Sequence, residues 1–165
     1  MTKHIIRLFI IMMTVFAMAF TASAESNKAY FTDQSDNPVS ALKLADGEET
    51  VIRVKAEVPE GKTLNAYTFL IMFGDNVEIT KVADAPGTPI AIMTQNIEKD
   101  SLTVKVNGFD LDGVTAGDYS FIDINLKGVK TDGKAQEIIV LSTAFGTDAD
   151  NQFIPKSDSI NVISY

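Results

Sequence analysis

From about residue 40 onwards, apolar and polar residues alternate with a period of two, and no window of a dozen residues sustains the 3.6-residue period of an amphipathic helix. That pattern restricts the chain to sheet. In Thr50 to Val58, one face carries Ile52, Val54, Ala56 and Val58, and the other carries Val51, Arg53, Lys55 and Glu57. Such a segment reads as a half-buried strand. Pro59-Glu60-Gly61-Lys62 then breaks it with turn chemistry. Tyr67, Phe69, Ile71 and Phe73 next alternate with Thr68, Leu70 and Met72, and Gly74-Asp75-Asn76 turns the chain into a short strand, Val77 to Val82.

The rest repeats this grammar. Ala83 to Pro89 is a loop with two prolines, Ile90 to Thr94 reads as a strand, and Asn96 to Asp100 as a polar turn. Leu102, Val104 and Val106 alternate with Thr103, Lys105 and Asn107. Asp110 to Asp118 reads as a Gly/Asp loop, and Ile122, Ile124 and Leu126 alternate with Phe121, Asp123 and Asn125. Asp132-Gly133 is a hairpin signal at the tip of a turn, Gly128 to Lys134. Ile138 to Leu141 is a continuous apolar run, as expected of a strand buried on both sides or in a sandwich core. A final strand, Ile160 to Ile163, closes the chain. Short strands at roughly 8–12-residue spacing predict an all-β sandwich of about nine strands around one core.

The first 24 residues have a different character. Lys3, His4 and Arg7 precede an apolar run of 13 residues, Leu8 to Phe20, and Ala22-Ser23-Ala24 is a small-residue cleavage site. This is the pattern of an export signal, and it falls short of the ~20 residues that span a bilayer. The expectation is a signal at residues 1–24, a polar lead-in at 25–28 and one domain over 29–165. The exported form is then periplasmic or extracellular and does not span a membrane.

Removing the signal takes away the single histidine, and the chain has no cysteine. Histidine-based triads, thiol nucleophiles, Cys/His zinc sites and disulfides are thereby excluded from the exported chain. Two carboxylates suffice for glycoside hydrolysis, but that chemistry needs a groove and a desolvated acid. No nucleophile–base constellation is visible, so no enzyme is expected. Residues 25–165 hold 12 basic and 22 acidic side chains, a formal charge of −10. That sign opposes nucleic acid and anionic membrane as partners.

Three stretches stand out in order: Asp46-Gly47-Glu48-Glu49-Thr50-Val51; then Leu64-Asn65-Ala66-Tyr67-Thr68-Phe69, followed by Gly74-Asp75-Asn76-Val77-Glu78-Ile79; and last Phe145-Gly146-Thr147-Asp148-Ala149-Asp150-Asn151, with Ser159-Ile160-Asn161-Val162 beyond. Together they resemble the cohesin family of β-sandwich modules. The first is similar to the family's Gly-Asp-Thr-Val opening strand, the second to its aromatic strand and the turn after it, and the third to its closing segment. The resemblance runs from about Ala29 to Ile163. It implies a jelly-roll-like sandwich that binds without catalysing, the family's partner being a dockerin, a small Ca²⁺-binding module. It also places the partner face on the segment matching Ala66 to Met72. Dockerin-binding members usually carry an Asn and an Asp there; the matching residues here are Ala66 and Thr68.

The residues themselves mark the same row. If Phe69, Ile71 and Phe73 face the core, then Ala66, Thr68, Leu70 and Met72 face outward. Two large apolar groups on a sheet face fit a protein contact surface. Asp148, Asp150 and Asn151 bring three oxygen-bearing side chains into four residues, which is either a calcium site or an Asx-rich turn. Asp110-Leu111-Asp112-Gly113 begins like an EF-hand loop, but Val114 and Phe121 stand where ligands belong, so it reads as a turn. The aromatic residues Tyr30, Phe31, Tyr67, Tyr119, Phe121, Phe153 and Tyr165 read as core and edge packing rather than a sugar platform. Three functions remain open on the residues: a protein-binding module in a polysaccharide-associated setting, a carbohydrate-binding module, and a structural subunit of a surface or matrix assembly.

Overall fold

A computed structural model of the chain describes residues 28–130, 133–146 and 153–165, with the side chains of 143–145 excepted. The elements are ten strands: β1 Ala29–Thr32, β2 Ala41–Leu44, β3 Glu49–Val58, β4 Leu64–Met72, β5 Val77–Asp84, β6 Ile92–Glu98, β7 Thr103–Val114, β8 Gly117–Gly128, β9 Gln136–Phe145 and β10 Asp158–Ser164. Ten strands stand where about nine were expected. The period-two reading passes over β1 and β2, which have four residues each. So short a segment carries too few alternations to register.

Two sheets stack face to face. One has the order β1-β3-β8-β5, the other β2-β10-β9-β4-β7-β6. All pairings between the named strands are antiparallel except β10 with β2. Only β6–β7 and β9–β10 join consecutive strands as neighbours; the other connections pass from one sheet to the other. β8 and β9 are therefore not paired as a hairpin, since β8 lies in the four-stranded sheet and β9 in the six-stranded one; Asp132 of the expected hairpin signal lies outside the described residues. The turn chemistry was legible, but which sheet receives the next strand is decided by core packing.

The alternation fixes the core. Ile52, Val54, Ala56 and Val58 of β3 are buried, and so are Tyr67, Phe69 and Ile71 of β4, with Ile122, Ile124 and Leu126 of β8. Each such aliphatic or aromatic side chain contributes roughly 1.5–3 kcal/mol by leaving water. Phe121 bridges the layers, its ring centroid 5.1 Å from Tyr67 and 5.8 Å from Phe69 in edge-on contacts. Burial pushes the Tyr67 hydroxyl above the ordinary tyrosine range, with the Asp84 charge adding to it.

Gly108 of β7 lies directly opposite Tyr67. A Cβ at this position would sit 2.2 Å from a Tyr67 ring carbon, so the tyrosine ring occupies the space the glycine leaves. Of the loop expected over Asp110 to Asp118, only Thr115 and Ala116 lie outside the strands. β7 continues to Val114, and a wide bulge between Phe109 and Val114 holds the Gly/Asp residues. The Asp110 carboxylate accepts from the backbone N–H of Asp112 (2.9 Å) and Gly113 (3.2 Å), and Gly113 takes φ +64°. Asx geometry and a left-handed glycine build the bulge as they would build a turn.

Candidate functional site: the outer face of the six-stranded sheet

The two outer faces differ in chemistry. On the four-stranded sheet, Arg53 of β3 stands opposite Asp123 of β8. Its guanidinium donates to both carboxylate oxygens, at 2.8 and 3.1 Å, and reaches Asp36 at 3.3 Å. The segment between β1 and β2 folds over this pair, and the Gln34 carbonyl accepts a further bond at 3.4 Å. The Asp123 carboxylate raises the Arg53 guanidinium above its ordinary value, against the cost of its burial. Beside it, Lys55 pairs with Asp118 at 3.1 Å, and the Tyr30 hydroxyl donates to the same carboxylate at 2.7 Å. Burial, reinforced by Asp118, pushes that hydroxyl upward. This face is charged, cross-linked by its own side chains and partly roofed.

The outer face of the six-stranded sheet is different. Ala66, Thr68, Leu70 and Met72 all point outward and are partly exposed, while the intervening residues of β4 are buried. β4 is a central strand, with β9 on one side and β7 on the other. The register places Leu141 of β9 opposite Leu70, and Ile139 opposite Met72. All four are partly exposed. Directly opposed side chains on one face lie about 5 Å apart at Cβ. Leu70, Met72, Ile139 and Leu141 thus form one apolar cluster across two adjoining strands.

The apolar run Ile138 to Leu141 is a sandwich-core strand rather than one buried on both faces: Ile138 and Val140 enter the core, and Ile139 and Leu141 complete the outer cluster. A continuous apolar run cannot distinguish the two arrangements, because its periodicity is erased in either case.

Polar groups frame the cluster. Lys105 of β7 lies opposite Leu70 on its other side, and Thr103 opposite Met72. Toward one end of β4, the Thr68 hydroxyl donates to Asn107 Oδ1 at 2.8 Å, and the Asn107 amide donates to Thr94 Oγ1 at 2.9 Å. This ladder crosses β4, β7 and β6 and satisfies itself, so a docked surface need not supply its partners. Beyond it Phe109, opposite Ala66, is 43% exposed, and Leu111 in the bulge is 86% exposed.

Sequence reasoning placed the row Ala66, Thr68, Leu70 and Met72 correctly on one outward face. It did not find Ile139, Leu141, Asn107 or Phe109 as its companions. The alternation of Leu102 to Val106 carried a signal, since it turned Lys105 and Asn107 outward, but pairing β7 with β4 needs the register. Asp148, Asp150 and Asn151 lie outside the described residues, as does the export signal at residues 1–24. Among the described residues no three His, Cys, Asp or Glu side chains converge to hold a metal ion, and no helix is long and apolar enough to cross a membrane.

No protein-family model matches the chain, and no curated protein matches it in sequence. Solved structures do match. The cohesin of OlpA from Clostridium thermocellum, solved in complex with Doc918, is 14% identical with a TM-score of 0.58, covering 86% of this chain and 100% of that one. A cohesin module from a Clostridium perfringens family 33 glycoside hydrolase gives 0.58 at 10% identity, covering 85% of this chain and 100% of that one. A non-cellulosomal cohesin from the archaeon Archaeoglobus fulgidus gives 0.54 at 14% identity, covering 83% and 92%. The chain is an all-β sandwich with the fold of the cohesin modules.

Proposed function

We propose that this chain is an exported, non-catalytic binding module that docks a partner protein on the outer face of its six-stranded sheet. One observation carries the reading: the apolar cluster of Leu70, Met72, Ile139 and Leu141 on adjoining strands, framed by Lys105 and a self-satisfied polar ladder. A desolvated apolar centre with a polar surround is the anatomy of a protein–protein interface. The OlpA cohesin, a fold neighbour, was solved with a dockerin bound, which supports a protein partner of that kind. The partner here meets Ala66 and Thr68 where dockerin-binding cohesins usually carry a polar pair, so it relies more on apolar contact than on hydrogen bonds at that position. A polysaccharide-associated setting outside the cytoplasm fits the cohesin fold and the export signal.

The test begins with capture from the source organism's secreted proteins. The captured partner is then titrated against the wild-type chain and a Leu70→Asp/Met72→Lys variant. Loss of a buried interface centre weakens binding by about thirtyfold or more. A variant that keeps its β-sheet circular dichroism and every partner at full affinity refutes the assignment.

A further inference from the structure

Among the described residues the sandwich presents four sheet edges, and three are blunted. β1 and β2 have four residues each. β5 has eight, but it carries Glu78, Lys81 and Asp84, and its register shifts between Ile79 and Lys81. Short length, charge and bulges are the usual devices that keep an edge from pairing.

β6 uses none of them along Thr94–Ile97. Its ladder to β7 runs without interruption through Thr94, Gln95, Asn96, Ile97 and Glu98, the register shift being confined to Ile92–Thr94. Met93, Thr94, Gln95 and Asn96 are all exposed, and Met93 is 64% exposed. The strand holds no proline, and its only charge is Glu98 at its end, whose carboxylate accepts from the Asn96 amide at 2.7 Å. Among the described residues, β6 has a strand neighbour on the β7 side alone. An edge strand leaves alternate backbone N–H and C=O groups pointing away from the sheet, and another extended strand is what matches them.

We propose that β6 pairs antiparallel with β6 of a second copy of this chain, forming a two-fold dimer through one continuous sheet. The pleat demands that directly opposed residues share a face, so a two-fold axis must pass where a residue meets itself. Asn96 is the position at the centre of the uninterrupted stretch, Thr94–Glu98. With Asn96 on the axis, Thr94 meets Glu98 and Gln95 meets Ile97 of the other copy. This register opposes no like charges, although each chain is acidic overall. Glu78 is engaged by Lys99, and Asp84 by the backbone N–H of Ile92.

The axis stands perpendicular to the sheet, so both outer faces turn to the same side. Two partner sites then lie side by side, and a bivalent partner gains avidity without a new contact. The dimer itself stands on the edge strand and does not rest on the partner reading.

The test is light scattering after size exclusion on the purified chain, from micromolar to millimolar concentration. The wild-type mass doubles with concentration and stops there, because a two-fold pairing consumes the edge. Asn96→Lys and Gln95→Lys, both at exposed positions, stay monomeric with unchanged circular dichroism, while Asn96→Thr still doubles. A wild-type monomer throughout, a dimer that both lysine variants leave intact, or a ladder of masses beyond two would each overturn the proposal.

Discussion

Replacing Asp123 by alanine tests whether the charged outer face of the small sheet is held by its buried pair. The guanidinium of Arg53 loses two carboxylate bonds, at 2.8 and 3.1 Å, while its own side chain stays 8% exposed. Breaking a buried ion pair from one side costs about 3–5 kcal/mol, because a charge is left without its partner. Here Asp36 remains at 3.3 Å, but its side chain is 53% exposed and holds the charge only weakly. The lower end applies, about 3 kcal/mol. At this chain length each kcal/mol moves the melting temperature by roughly 3 °C, so the loss is about 10 °C. Urea unfolding followed by circular dichroism gives the free energy directly. Removing both charges as Arg53→Met/Asp123→Leu restores stability to within about 1 kcal/mol of wild type, since desolvation offsets most of the pair's attraction. A single variant that loses under about 1 kcal/mol, or a double variant as unstable as the single, refutes the reasoning.

Gly108→Ala forces a Cβ to within 2.2 Å of the Tyr67 ring and 2.9 Å of the Ala91 carbonyl. The ring is wedged against Phe69 and Phe121, so about 2 kcal/mol or more is lost, measured by the same denaturation; an unchanged midpoint counts against the packing described. Lys99 holds the Glu78 carboxyl below its ordinary value of 4.5, and Asn37 holds Asp33 below 3.8. Both pKa values are depressed in the folded state, so their stabilisation is complete above the ordinary values and is lost as pH falls through the lower folded ones. Glu78→Gln therefore leaves a shallower acid limb in a plot of stability against pH, and an identical limb would contradict the pairing. Leu70→Asp/Met72→Lys, placed on an outward row, keeps the fold while losing the partner; collapse of the sheet spectrum would mean the row is not outward.

Period two made much of this molecule legible. It turned Tyr67, Phe69 and Ile71 inward and Thr68, Leu70 and Met72 outward before any register was known, and the burial of β4 follows it residue by residue. It placed Arg53 on the outward face of β3, where it lies, but not its burial, which comes from Asp123 across the ladder and the Gln34–Asp36 segment above. The same principle misled where local chemistry has two uses. Asp110 and Gly113 serve a bulge as readily as a loop, and a Gly at a turn says nothing about which sheet the chain enters next. The companions of Leu70 and Met72 stayed hidden because Ile139 and Leu141 are about seventy residues away in sequence. Adjacency across strands is a property of pairing, and pairing is set by the whole core.

The central claim is that the outer face of the six-stranded sheet meets a protein. A photo-reactive phenylalanine analogue placed at Leu141, in the cells that make this chain, tests it where the partner is present. The account predicts a cross-linked protein from Leu141 that the same probe at Lys81, on the opposite sheet, does not capture, and whose yield falls when Leu70→Asp is added. Equal capture from both positions, or capture from Lys81 alone, would contradict it.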